Sequence, residues 1–118
     1  MVGREPFIAT YIMASGRNGT LYTGVTSELG LRVLQHKTGA FKGFTETYEC
    51  KRLVWFERHP NMASAIHREK RIKHWIRKWK LKLIEADNPD WRDLSDGWFE
   101  ETTWDFTGEY ERWLRSED

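Results

Sequence analysis

The stretch Phe7-Ile8-Ala9-Thr10-Tyr11-Ile12-Met13, the turn residues Ser15-Gly16-Arg17-Asn18-Gly19, and Thr20-Leu21-Tyr22-Thr23-Gly24-Val25 together decide the fold. Both flanking runs are rich in β-branched and aromatic residues. The Asn-Gly pair between them supplies backbone that tolerates positive φ, so the whole reads as a β-hairpin. Thr26-Ser27-Glu28 then marks a helix start, because a hydroxyl can cap the free amides and an acid suits the positive end of the first turn. The helix is expected to run to about Thr38 and to stop at Gly39. Gly30 within it costs about 1 kcal/mol relative to alanine.

Working outward, residues 39–48 read as a loop carrying Gly39, Gly43, Phe41, Phe44 and Tyr48. Lys51–Glu57 reads as a third strand, and its unbroken Leu53-Val54-Trp55-Phe56 run requires burial on both faces. Asn61 can cap a helix from near Met62. Helix formers continue to about Ala86, as one helix or as two broken in the middle. Met62, Ala65, Ile66, Ile72 and Ile76 mark its apolar stripe. Asn88-Pro89 stops it, since the residue before proline avoids the α region. The order β-β-α-β-α-α predicts an α/β (α+β) fold: a small three-stranded, mainly antiparallel sheet flanked by helices, with a helical or irregular C-terminal tail. Residues 1–94 are expected to form the domain. Residues 95–118 are expected to be an acidic, aromatic extension packed on it.

The composition sets limits on this picture. The 118 residues, 14.1 kDa, suit one domain with one modest core. Seven tryptophans and 39% hydrophobic residues argue against disorder. The longest apolar run, Phe7 to Ala14, is far short of the ~20 residues that span a bilayer. Glu5 and Pro6 before it make a poor signal peptide, so a soluble cytoplasmic protein without membrane partners is expected. Cys50 is the one cysteine, which excludes an internal disulfide and a multi-cysteine metal site.

The net charge of +1 conceals a split: residues 1–66 carry +3, residues 67–84 carry +7 and residues 85–118 carry −9. Such asymmetry points to a polyanion-binding face, an acidic appendage, or a basic face that the appendage covers. Lys70 and Arg77 lie seven apart and are expected to share a face of one helix, where they can track phosphates. Trp75 and Trp79, four apart, are read as packing on the core or the tail rather than as stacking on bases.

Three sets of residues carry chemistry. Glu69 falls in the middle of the apolar stripe, where a carboxylate is costly unless paired, hydrogen-bonded or bound to a cation. Its ordinary role would be an i,i+4 pair with Lys73. Arg32 and His36, four apart, share a helix face. A guanidinium suits phosphate and an imidazole moves protons near neutral pH. Tyr11 and Tyr22 lie on the two hairpin strands as cross-strand neighbours, to within a residue or two of register. Strand tyrosines usually pack. As bases they need help from cations or a metal, because the phenol pKa is near 10.

Together these residues resemble the GIY-YIG endonuclease superfamily, and within it the small bacterial proteins consisting of that domain alone. Ala9-Thr10-Tyr11 stands at the first signature triplet and Tyr22-Thr23-Gly24 at the second. Leu31-Arg32-Val33-Leu34-Gln35-His36 resembles the Arg-x-x-x-His helix, and Ile66-His67-Arg68-Glu69-Lys70-Arg71-Ile72-Lys73 the metal-binding Glu helix. Phe44-Thr45-Glu46-Thr47-Tyr48, Leu53-Val54-Trp55-Phe56-Glu57 and Asn88-Pro89-Asp90-Trp91-Arg92-Asp93-Leu94 resemble motifs of the small subgroup. Neither triplet is literal, and Val25 stands where repair relatives often have lysine.

The resemblance implies metal-dependent hydrolysis of phosphodiesters in DNA or other nucleic acid. Tyr11 would activate water, with His36 receiving the proton and Tyr22 positioning water or phosphate; the two tyrosines can exchange roles. Arg32 would clamp the phosphate. Glu69 would hold one Mg²⁺ or Mn²⁺, since a single carboxylate favours one ion. Gly24 and Asn88 would support the site, and Arg68, Lys70, Lys73 and Arg77 would bind the nucleic acid. A monomer or homodimer is expected, with target choice loose, structural, or supplied by a partner protein. The competing readings are a non-catalytic nucleic-acid binder and a protein-interaction module built on the acidic tail.

Overall fold

The computed structural model describes residues 6–39 and 49–99. Residues 40–48 of the loop expected at 39–48, with the Phe44–Tyr48 motif, and the tail from residue 100 lie outside the described residues.

Six elements follow in the expected order β-β-α-β-α-α: β1 (Ala9–Ala14), β2 (Leu21–Thr26), α1 (Leu29–Thr38), β3 (Arg52–Arg58), α2 (Met62–Lys73) and α3 (Arg77–Asp87). The sheet order is β2-β1-β3, and both neighbours run antiparallel to β1. Every residue of the central strand β1 is buried. Its side chains alternate between two cores, as the period of two requires. Ala9, Tyr11 and Met13 face Leu29 and Val33 of α1. Ile12 and Ala14 pack with Ile72 of α2, Ile84 of α3 and Trp91. The third strand is covered on both faces too, with Leu53 in the first core and Val54 and Trp55 in the second. A bulge between Ile12 and Met13 shifts its register against β1.

Local chemistry sets most boundaries. The hairpin loop closes through Ser15 N–H to Thr20 O at 3.0 Å and Gly19 N–H to Gly16 O at 3.0 Å, with Asn18 at φ 57°. Helix α1 ends at Gly39, whose φ of 78° only glycine adopts without strain. Its start differs from expectation. No side chain caps it, and the Thr26 hydroxyl instead accepts from Glu28 N–H at 3.0 Å, so the helix begins at Leu29. Asn61 caps α2 as expected, accepting from Ser64 N–H at 2.9 Å.

The long helical stretch breaks at His74-Trp75-Ile76. Lys70 and Arg77 therefore sit on separate helices, and the seven-residue spacing does not place them on one face. No helix among the described residues is long and apolar enough to cross a membrane. Leu94 and Phe99 pack against the first core, and the Trp98 ring meets Phe56 edge-on at 6.0 Å.

Candidate active site

Helix α1 and the hairpin bring three rings together. The Tyr11 hydroxyl lies 2.8 Å from His36 Nε2, and both residues are 1% exposed. The half-buried Tyr22 ring stands 6.3 Å from that of Tyr11 and 5.1 Å from that of His36. The register falls within the expected residue or two of a cross-strand pair. Tyr11 pairs with Gly24 and Tyr22 with Met13. A shift of two residues keeps both tyrosines on one face, because strand side chains alternate with period two.

Gly24 has a reason to be glycine. A Cβ there would lie 2.6 Å from Tyr11 Oη and 2.7 Å from its Cζ. The Tyr11 ring crosses directly over the opposite strand, and only a missing side chain leaves that path open.

Burial governs the protonation of these groups. It pushes the Tyr11 phenol well above its usual range, reinforced by Tyr22 and only partly opposed by Arg32. It raises Tyr22 too, with Lys73 and Arg32 pulling the other way. His36 is held down at about 3 by burial and by the Arg32 cation, so its ring is neutral at pH 7. The resting cluster is thus a neutral phenol beside a neutral imidazole. It holds a path for a proton and opposes a standing phenolate–imidazolium pair.

Glu69 reaches the same cluster from α2, a helix that packs on β2 and β1. Its charge adds to the upward pressure on both tyrosines. The side chain is 14% exposed and pairs with Lys73 Nζ at 2.9 Å. The carboxylate in the apolar stripe is therefore compensated by its i,i+4 neighbour, an exposed lysine whose charge is felt at Tyr22. Thr10, whose importance the sequence reading missed, fixes the height of α2. Its hydroxyl donates to Ala65 O at 2.7 Å, one turn before Glu69. The signal available was a hydroxyl residue inside an otherwise apolar strand.

Other candidates are engaged elsewhere. Asn88 donates both amide hydrogens to backbone, to Val54 O at 3.2 Å and Arg92 O at 2.8 Å, and accepts from Arg92 N–H. No donor is left for Glu69 or a phosphate, and the residue closes α3 and anchors the next turn. Arg68 bonds Glu57 at 3.0 Å and lies over the Trp55 and Trp75 rings. Arg77 donates to the carbonyls of Asn18 and Gly19 and fastens α3 to the hairpin loop. Lys70 is exposed on α2. Lys37, unremarked in the sequence, forms an ion pair with Asp93.

A three-stranded antiparallel sheet that presents two strand tyrosines to an Arg-x-x-x-His helix, with a glutamate from the next helix, defines a class of nucleic-acid-processing domain. A family model of the GIY-YIG catalytic domain matches residues 7–82, and the chain belongs to that nuclease family. It is similar to the UPF0213 protein of Staphylococcus epidermidis, with 34% identity over 68 residues, 58% of this chain and 83% of that one. The UPF0213 protein of Staphylococcus saprophyticus matches with the same identity and coverage. That of Staphylococcus haemolyticus is 35% identical over 69 residues, 58% of this chain and 84% of its own length. No solved structure matches.

Proposed function

We propose that the chain is a metal-dependent endonuclease that hydrolyses phosphodiester bonds of DNA. The observation that carries this reading is the 2.8 Å approach of Tyr11 Oη to His36 Nε2, in a cluster that also feels Arg32 and Glu69. Tyr11 takes a proton from the attacking water at Oη as its own proton passes to His36 Nε2. Moving both protons together avoids the free phenolate that burial opposes. Arg32 binds the scissile phosphate through its planar fork and offsets charge in the transition state. Tyr22 orients the water or phosphate.

The donor set fits one hard cation. Glu69 offers a single carboxylate, and no group of three or more His, Cys, Asp or Glu among the described residues forms a closed cage. An ion held by one carboxylate keeps its waters and takes substrate oxygens, the habit of Mg²⁺ and, by the same ligand preference, Mn²⁺. When bound it supplies charge stabilisation to the phosphate and leaving oxygen. Lys73 is the counter-charge of Glu69 in the metal-free state, and giving up that pair frees an exposed ammonium for a phosphate. Residues 1–94 form the catalytic unit in this reading, and residues 95–118 are its acidic extension.

The test is cleavage of labelled DNA by the purified protein with Mg²⁺ or Mn²⁺. Glu69→Gln should keep the fold and lower cleavage by more than about 100-fold, beyond the loss expected from merely misorienting a metal ligand. Full activity of that variant, or wild-type cleavage that persists in chelator, would refute the metal role.

A further inference from the structure

The Trp79 ring is 52% exposed and the neighbouring Ile76 59% exposed. Of the two packing partners expected for Trp79, the core does not cover its ring, and the tail lies outside the described residues. Its partner Trp75 is half-buried against the second core. The two indoles stand nearly perpendicular, at 82° with centroids 6.2 Å apart. With Leu83 and Lys82 they line an open groove of about 520 Å³. Ile84 is buried in the second core, and Leu81 and Leu83 are partly buried against it.

Charge surrounds this groove. Positions 78, 79, 82 and 83 share a face of α3, because they are spaced by three and four residues. Lys78 and Lys82 are exposed near Trp79 along α3, and Lys82 lines the groove itself. No ion pair among the described residues engages them. They belong to the segment 67–84, which carries +7. A large exposed indole with two uncommitted ammonium groups on the same helix calls for an occupant with a flat apolar face and closely spaced negative charge. A nucleic acid has both, but a duplex hides its base faces in the stack. Unpaired bases present them.

We propose that the Trp75–Trp79 groove on α3 is a docking surface for single-stranded nucleic acid, with an unpaired base stacked on Trp79 and its flanking phosphates on Lys78 and Lys82. The inference rests on the nuclease reading and narrows it. The substrate would be single-stranded, or a duplex carrying an unpaired flap or loop. Discrimination would follow strand state more than sequence, since every base offers a stacking face.

The experiment is fluorescence anisotropy of a labelled 12-nucleotide DNA, single-stranded or annealed, with the full chain in EDTA so that no cleavage occurs. Wild type should prefer the single strand. Trp79→Ala should weaken single-strand binding about 5- to 150-fold, the range that base–aromatic stacking spans, and leave duplex affinity and the melting temperature unchanged. Trp79→Phe should restore most of the binding. Lys78→Ala with Lys82→Ala should lower the salt slope by about 1–2, one phosphate contact for each lysine. Unchanged single-strand affinity in Trp79→Ala would overturn the proposal while leaving the nuclease reading intact. Tighter binding in Trp79→Ala would also overturn it, and would identify the groove as the seat of an acidic segment of the chain itself. No binding of either DNA by wild type would defeat the nucleic-acid reading and this inference with it.

Discussion

Gly24 is a glycine because the Tyr11 ring occupies the space a side chain would need. Gly24→Ala would drive a methyl into a ring that is 1% exposed and hydrogen-bonded to His36. The ring is held at both ends and has no free space to move into. We expect a loss of about 1–3 kcal/mol, the usual range for overpacking, and a larger fall in cleavage than in stability as the Tyr11–His36 bond is misaligned. Denaturant unfolding beside a cleavage assay checks both, and normal values in each would refute it. His36 makes a second prediction at this scale. Its folded pKa is about 3 against an ordinary 6.5, so above pH 6.5 both folded and unfolded chains hold it neutral. As pH falls from 6.5 towards 3, the unfolded chain gains a proton that the folded chain refuses. Stability is lost across that window, by up to about 1.4 kcal/mol per pH unit. The groups facing the ring are Tyr11, Tyr22 and Arg32. A His36 resonance titrating near 6.5 by NMR would contradict this.

At the scale of elements, the site depends on how two helices are set against one hairpin. Helix α1 sits on the Tyr11 face of β1, while α2 is held from the other face by the Thr10–Ala65 bond. Neighbouring residues of one strand thus position the proton path and the glutamate. Thr10→Val keeps the shape and removes the donor. It should cost about 0.5–1.5 kcal/mol, the worth of one net hydrogen bond, and weaken metal-supported cleavage further through Glu69. A variant that unfolds and cleaves like wild type would show that packing alone sets the height of α2. The legible elements were those with local signals: the Asn-Gly hairpin, the Asn61 cap and the Gly39 stop. The break at His74–Ile76 was open in the sequence because no proline or glycine marks it. What ends α2 there is the demand that Ile72 and Ile84 reach one core from two helices.

For the whole molecule, opposed charges along the chain dominate. Residues 100–118 hold seven acids and two arginines, net −5, so a chain ending after Phe99 would carry +6 instead of +1. We expect that truncation to bind DNA several-fold more tightly at low salt, with the gain shrinking as salt screens it. Affinity measured at two salt concentrations on the full and shortened chains decides the matter, and equal low-salt values would refute it. The sequence by itself determined the element order, the antiparallel hairpin, the two-faced third strand, and the gathering of Tyr11, Tyr22, Arg32, His36 and Glu69 as one set. Strand period, caps and turn residues act within a few positions and are written locally. Only the tertiary structure decided what each side chain spends its bonds on. Asn88 and Arg77 are committed to backbone carbonyls and Arg68 to Glu57 and two indoles, while Trp79 is left open. Those partners lie as many as 59 residues away. Whether a cation is free for a phosphate depends on which distant group folding sets beside it, and the local pattern does not contain that information.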